Sequence, residues 1–421
     1  MSRQRIQQLP LDSHKGHDAI FNASYLDDIP SALQEWNSTR VLLVVSKSLD
    51  TNTAIIKDLE ARLNDDGQLK HIQKKIGVGS HSPYADIIDI AHRVQSDNID
   101  AVVSIGSGSY SDACKIAVML SATLKPGFTE TDIEALIDQK HGLAGDDRLR
   151  APTTKLICVP TSLSAGEWNS YASGTNSRGK KQHFRHAGGS PTLILCDPHV
   201  AATTPAHLWL ASGVRAIDHC VEGLCCVKCH DEAASHFEKG LTCLLEGLVQ
   251  YHAGLEKSDS GSNKDDKREE LLKGITECQL GSRETLLPWI KWHVSFGASH
   301  AIGHQLGSVA GVQHGVTSCI LLPPVLAYTQ SHPDSPPTRP NSHSQILDIF
   351  NNTLNWQEKS ASDAVAKLVA LLGLPNRLSQ VGVTSDEQIR KVAEMALTDV
   401  LAKEKVLPEY DGIVEILDSV R

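Results

Sequence analysis

What most constrains the fold of this chain is where its strands stop. Up to Cys196, short apolar runs alternate with helical stretches: VLLVVS (41–46), IDAVVSI (99–105), KLICVP (155–160) and TLILCD (192–197), with a helix-spaced PYADIIDIAHRVQS (83–96) among them. Such alternation predicts βαβ units around a parallel sheet. From about Pro198 onward the strand signals cease. LTCLLEGLVQYHAGL (241–255), SASDAVAKLVALLG (360–373) and SDEQIRKVAEMALTDVLAKE (385–404) all carry helical periodicity. Ser385 and Gln388 form a capping box, and Gly373-Leu374-Pro375 ends the preceding helix. At 421 residues the chain is long for one core. Two domains are expected: α/β and dinucleotide-binding over 1–196, all-α and catalytic over 197–421. The stretches 256–270 and 331–344, polar and Pro/Ser-rich, read as surface loops, and TETDIEALIDQ (129–139) as a helix within a polar connection.

A net charge of −10 gives no basic footprint for nucleic acid or an anionic membrane. No apolar run reaches the roughly 18 residues of a membrane span, and MSRQRIQQLPLDSHKGHD has no signal-peptide core. A cytoplasmic enzyme is expected. The ten cysteines fall mostly in apolar stretches, where reduced thiols behave as small hydrophobes. Cys226-Val-Lys-Cys229-His230 matches the haem-attachment pattern, but a single copy without an export signal reads as chance, with these cysteines on a helix.

The strand ending at Ile105 runs directly into Gly106-Ser107-Gly108-Ser109 and a helical stretch beginning Tyr110-Ser111-Asp112. Small residues there let backbone N–H groups approach a pyrophosphate, and the helix N-terminus adds partial positive charge. The spacing departs from G-x-G-x-x-G, so a different nucleotide fold is indicated. Farther on, Arg215 and His219 are four apart, as are His300 and His304, each pair on one helical face. His314 precedes a glycine. Single histidines are usually packing residues; three within 15 residues of an apolar stretch suggest a site.

These residues together are familiar. GSGSYSDACK resembles the GGGSxxDxxK motif of the iron-type (group III) alcohol dehydrogenases, and PTSLSAGEW (160–168) resembles that family's PTTxGTGSE loop. DPHVAATTP…SGVRAIDHCVEG is similar to its DPxLTxxLP…TGxDALxHAIEA stretch, and residues 299–323 to its HxxxHxLGxxxxxPHGxxxAxxLP block. The resemblance spans most of 40–330. It implies a dehydroquinate synthase-like fold, an α/β nucleotide-binding domain followed by a helical domain, with the active site in a cleft between them. It implies cofactor contacts at Ser46, His81, Gly106, Ser107, Gly108, Ser109, Asp112, Thr161, Ser162 and Lys181, and catalytic roles for Arg215, His219, His300, His304 and His314.

The family holds Fe²⁺ or Zn²⁺ with one Asp and three His. Here the histidines fall at His219, His300 and His314, which would hold a retained ion, but the aspartate position is Arg215. A fixed cation removes a ligand and repels the ion, so no metal is expected. The HCVE string and the His81-Ser-Pro83 turn lean toward the maleylacetate reductase-like branch, which also lacks the aspartate. Ser46 and Lys47 follow the first strand in place of a carboxylate, so NADP is expected to be accepted alongside NAD. The resemblance thus implies an NAD(P)H-dependent oxidoreductase, often dimeric, reducing a carbonyl or enoyl-type small molecule, with a carboxylated one suited to Arg215. A lyase or isomerase using the histidines as acids and bases, and a non-catalytic nucleotide-binding relic, stay open beside it.

Overall fold

The computed structural model describes residues 2–65, 67–256 and 264–421. The chain divides into two compact units, Met1–Thr204 and Pro205–Arg421. The first contains strands β1 (Gln4–Gln7), β2 (Asp18–Phe21), β3 (Arg40–Val45), β4 (His71–Ile76), β5 (Ala101–Gly106), β6 (Leu143–Ala144), β7 (Lys155–Pro160), β8 (Tyr171–Thr175), β9 (Lys181–Arg185) and β10 (Leu193–Cys196). Its helices are α1 (Tyr25–Glu35), α2 (Lys47–Asn52), α3 (Ile55–Asp65), α4 (Tyr84–Ser96), α5 (Gly108–Thr123), α6 (Glu130–Leu136) and α7 (Pro198–Ala201).

Seven strands form one sheet in the order β1-β2-β10-β7-β5-β3-β4, parallel except for the β1–β2 pair. The central strands are continuous apolar runs because both faces are covered. Leu42, Val44 and Val102 pack on one side with α4 and α5; Val41, Leu43, Val103 and Ile105 pack on the other with α1 and α3. Strands β4 and β5 flank β3 on opposite sides. This creates a topological switch point between β3 and β5, and ligands bind outside the carboxyl ends of strands at such points.

The alternation did not reveal a second sheet, β6-β9-β8. Its strands YASGT and KQHFR are short and polar on their outer faces. Helix α6 starts at a Thr129/Asp132 capping box, within the expected 129–139 stretch. The first unit runs past Cys196 because Asp197 caps α7 and also accepts the Tyr25 amide, while Val200 lies in the core of the sheet.

The second unit is helical throughout its described residues: α8 (Ala206–Cys225), α9 (Asp231–Glu256), α10 (Lys264–Glu284), α11 (Leu287–Trp292), α12 (Ala298–Ala310), α13 (His314–Ser331), α14 (Ser342–Leu354), α15 (Ala361–Leu371), α16 (Asp386–Ala396) and α17 (Tyr410–Ser419). Helices α9 and α10 pack backbone to backbone: a Cβ on Gly274 would stand 2.7 Å from the Gly247 carbonyl oxygen. No helix among the described residues is long and apolar enough to cross a membrane.

Three local expectations need correction. The loop drawn over 256–270 is helical from Lys264 onward, and 257–263 lies outside the described residues. Cys226 and Cys229 are not helical. Helix α8 ends at Cys225, and the C-x-x-C-H segment is the turn into α9, its thiols free. The helix expected over 385–404 breaks after α16, where the Asp399 side chain accepts the Leu401 amide at 3.0 Å and caps a new 3₁₀ turn, Val400–Glu404. The Ser385/Gln388 capping box is present, and Gly373, at φ +64°, follows α15 as expected.

Candidate functional site

In the first unit, parallel register brings three strand ends together. Val45 lies beside Ile105, and Gly106 beside Pro160. The residues that follow, Ser46, Ser107 and Thr161, therefore share one edge. Ser46 donates its amide to the Ile105 carbonyl (2.9 Å) and Thr161 to that of Gly106 (3.0 Å). Ser107 is the N-cap of α5, with no side-chain cap bond, and the first helical amides to bond it are those of Tyr110 and Ser111. The amides of Gly108 and Ser109 thus stand at the open end of a 16-residue helix, where an anion is favoured.

Both glycines sit against neighbours rather than in open space. A Cβ on Gly106 would lie 2.6 Å from the Tyr110 ring, and one on Gly108 2.5 Å from Ser164 Oγ. The Ser162 and Ser164 hydroxyls are 3.2 Å apart, so the 161–166 loop closes over the start of α5. This narrow, donor-rich cradle at the switch point fits a dinucleotide pyrophosphate.

His81 and Lys181 arrive from another side. Thr175, which pairs with Lys181 in the small sheet, donates its hydroxyl to the His81 carbonyl at 3.1 Å. Ser82 donates to the Ser109 carbonyl at 2.9 Å, tying this turn to α5. Partial burial and then the Lys181 charge push the His81 imidazole below its usual range. Asp112 turns inward instead. It accepts the Ser173 amide (3.1 Å) and pairs with the wholly buried Lys115 (3.1 Å). Lys115 in turn donates to the carbonyls of Gly166 (2.6 Å), Asn169 (3.3 Å) and Tyr171 (2.6 Å). It is a latch on the loop, and it was visible in the motif as its terminal lysine.

In the second unit, α8, α12 and α13 assemble the other candidates. Arg215, His219 and His300 are buried; His304 is half-buried and His314 exposed. Four imidazoles form a file toward the surface, with ring centres 4.9 Å apart for His219–His300, 6.3 Å for His300–His304 and 6.1 Å for His304–His314. Phe296 stacks on His300 at 4.5 Å and is backed by Trp289. Burial, then Arg215, pushes the His219 imidazole down to about 3, and the same causes hold His300 far below its usual range. Both rings are neutral at ordinary pH. His304 Nδ1 lies 3.1 Å from the Asp399 carboxylate.

Two further buried acids organise this cluster. Asp218 accepts the hydroxyls of Ser299 (2.9 Å) and Ser318 (2.5 Å), and its Oδ2 is 3.9 Å from the Arg215 guanidinium. Arg215 Nη1 also donates to Ser318 Oγ at 3.1 Å. Glu222 accepts the amides of Gly297 (2.7 Å) and Ser299 (2.6 Å), and its Oε2 is 2.6 Å from His300 Nδ1. Burial pushes both carboxyls up, Asp218 to about 6, against the pull of Arg215 and of these donors. The spacing 215, 218, 219, 222 along α8 puts all four on neighbouring positions of one face, a signal present in the sequence but read only for the first and third.

Asp218, Glu222 and His300 each bring one ligand-capable atom within 4.8 Å of the others. As a cation site the set is poor. Asp218 Oδ2 and both Glu222 oxygens already accept hydroxyl or amide donors, His300 Nδ1 is engaged by Glu222, and a guanidinium stands 3.9 Å from Asp218. That guanidinium has no lone pair to offer a cation. Arg215 Nε, Asp218 Oδ1, His219 Nδ1 and His300 Nε2 are buried polar atoms with no hydrogen-bond partner. Buried polar atoms usually have one, so their gathering in one cluster marks a place where a polar group of a substrate can be held.

Residues 17–198 match the family described as iron-containing alcohol dehydrogenase, and 293–420 match its Fe-containing C-terminal family. The segment between those matches carries Arg215, Asp218, His219 and Glu222. The chain is 31% identical over 416 residues to dehydrogenase ALT3 of Alternaria alternata, covering 92% of this chain and all of that one. It is 29% identical to dehydrogenase FUM7 of Gibberella moniliformis, covering 90% of each. The fold is shared with maleylacetate reductase from Agrobacterium tumefaciens (TM-score 0.69, 17% identity, 96% and 95% coverage). With an α/β unit followed by a helical one, and with both family matches in order along it, the chain belongs to the iron-containing alcohol dehydrogenase family and is a dehydrogenase/reductase-like enzyme.

Proposed function

We propose that this enzyme is an NAD(P)H-dependent reductase of a small carbonyl or enoyl compound and works without a divalent metal. The observation that supports the metal-free reading is Arg215: where the resemblance puts the family's ligand aspartate there is a buried guanidinium bound into a network with Asp218 and Ser318. The Gly106–Ser109 turn and the 161–166 loop would hold the pyrophosphate, with Ser46 at the adenosine end. The bound nicotinamide supplies the hydride. Glu222 fixes the His300 ring through Nδ1 and leaves Nε2 for a polar atom of the substrate. His304, half-buried and oriented by Asp399, is the imidazole placed to deliver a proton. Arg215 acts chiefly as a positioning residue, neutralising Asp218.

The test follows NADPH and NADH absorbance at 340 nm against 2-oxo acids, aldehydes and enoic acids, before and after exhaustive chelation. Nucleotide oxidation that survives chelation is expected. Activity that disappears and returns only with iron or zinc would overturn the metal-free reading. Substrate turnover without net nucleotide oxidation would favour a lyase or isomerase.

A further inference from the structure

The second unit contains a cavity that no step above uses. It measures about 210 Å³ and lies among the end of α8, the middle of α13, the 295–298 segment and the loops around Pro337 and Lys405. Its wall is largely apolar and includes Val221, Phe296, Leu322, Val325, Leu326 and Pro336. The Cys226 side chain, half-buried and a free thiol, lines it as well. At the edge stand Lys228 and Glu404, which pair at 2.6 Å and are both substantially exposed, with Lys405 beside them. Glu222 also borders the cavity, but its carboxylate is turned to the Gly297 and Ser299 amides and to His300.

Size selects the ligand. An apolar cavity of about 150 Å³ stays dry and takes benzene, whereas drug-sized pockets run from about 300 Å³ upward. This one lies between, and well-packed interiors seldom leave so large a void unfilled. We propose that it is a second ligand site, taking a short aliphatic or monocyclic molecule whose polar end rests at the Lys228–Glu404 rim. The site is not isolated from the histidines. Phe296 forms part of its wall and stacks on His300, and Gly297 in the same wall donates to Glu222. An occupant therefore bears on the two groups that orient His300. The proposal holds whatever reaction the enzyme performs.

1-Hexanol is a suitable probe, and Cys226 is the reporter. With the intact protein, iodoacetamide labelling is followed by peptide mass spectrometry, and Cys243, half-buried on α9 outside the cavity, serves as reference. At a hexanol concentration about ten times its Kd, labelling of Cys226 should slow about tenfold by mass action while Cys243 is unaffected. Leu326→Trp, which fills the cavity, should remove the protection. Val325→Phe does the same with a smaller intrusion, should the tryptophan variant fail to fold. Protection of both cysteines alike, no protection at Cys226, or protection that persists in a folded cavity-filled variant would each overturn the proposal.

Discussion

Arg215→Met exposes the energetics of the cluster most directly. In the wild type, Arg215 and Asp218 are almost wholly inaccessible, and the guanidinium is the cation nearest to a carboxylate that accepts two serine hydroxyls. Removing one partner of such a pair leaves the other charge buried and uncompensated, which costs about 3–5 kcal/mol. The double variant Arg215→Met/Asp218→Asn removes both charges and keeps an amide oxygen for Ser299 and Ser318, so it should recover most of that loss. Arg215→Asp places a second carboxylate one helical turn from Asp218, and should be the least stable of the three without metal. If position 215 is the ligand position that the resemblance implies, zinc or ferrous ion should stabilise this variant. Urea unfolding followed by tryptophan fluorescence suits the question, because Trp209, Trp289, Trp292 and Trp356 all belong to the second unit. Wild-type unfolding should be indifferent to chelation and to added metal. A cost below about 1 kcal/mol for Arg215→Met, or a wild-type midpoint that falls on chelation and returns with zinc, would refute the argument.

Other consequences lie in the first unit. Gly108→Val drives its side chain into Ser164 and across the helix start; calorimetry should show nucleotide affinity falling at least about tenfold, or ~1.4 kcal/mol, with circular dichroism unchanged, and undiminished affinity would remove the cradle from consideration. Ser46→Asp brings a carboxylate to the end of β3 and should weaken NADPH more than NADH; equal effects on the two would place the 2′-phosphate elsewhere. Glu167, almost fully buried, has its carboxyl pushed up to about 7 by burial. The folded state therefore binds the extra proton between about pH 4.5 and 7, and stability falls as pH rises through that window, by about 3 kcal/mol. Glu167→Gln should flatten this slope relative to the wild type, and parallel stability–pH curves would contradict it.

The sequence disclosed most readily what rests on periodicity and turns. Continuous apolar strands announced the parallel sheet, and the change of pattern near Pro198 announced the helical unit. The small sheet escaped because Tyr171–Thr175 and Lys181–Arg185 are held by pairing with each other, not by an apolar run. Among site residues, histidines are conspicuous in an apolar stretch and were found; Asp218 and Glu222 were not, although each lies three residues from a candidate on the same helix. A buried acid has no local signature, because its partners come from distant segments: Ser299 and Gly297 approach Glu222, and Ser318 approaches Asp218, only when α8, α12 and α13 pack. Asp399 was hidden for a further reason. It sits in what periodicity presents as one long helix, and only the break there turns its carboxylate to His304 and Gln305.

That break bears on how the proposed reaction would obtain its proton. His219 and His300 are poor reservoirs: burial and Arg215 keep both rings neutral. A divalent ion would impose the same restriction on imidazoles that ligate it, since a ligating nitrogen must be deprotonated. Arg215 likewise keeps positive charge beside the buried histidines, and a permanent one, because a guanidinium remains protonated where an ion can dissociate. The proton must then enter farther along the file. His304 is the first ring from the interior that combines partial exposure with a carboxylate partner, and Asp399, nearly buried itself, is held below the usual carboxylate range: burial raises it, but the bond and charge of His304 and the Leu401 and Gln305 donors outweigh that. Asp399→Asn should accordingly lower turnover more than it weakens substrate binding, with kcat falling and KM nearly unchanged, since the amide preserves the cap on Leu401 but no longer gives His304 a carboxylate partner. A change confined to KM would show that Asp399 serves the loop and not the proton.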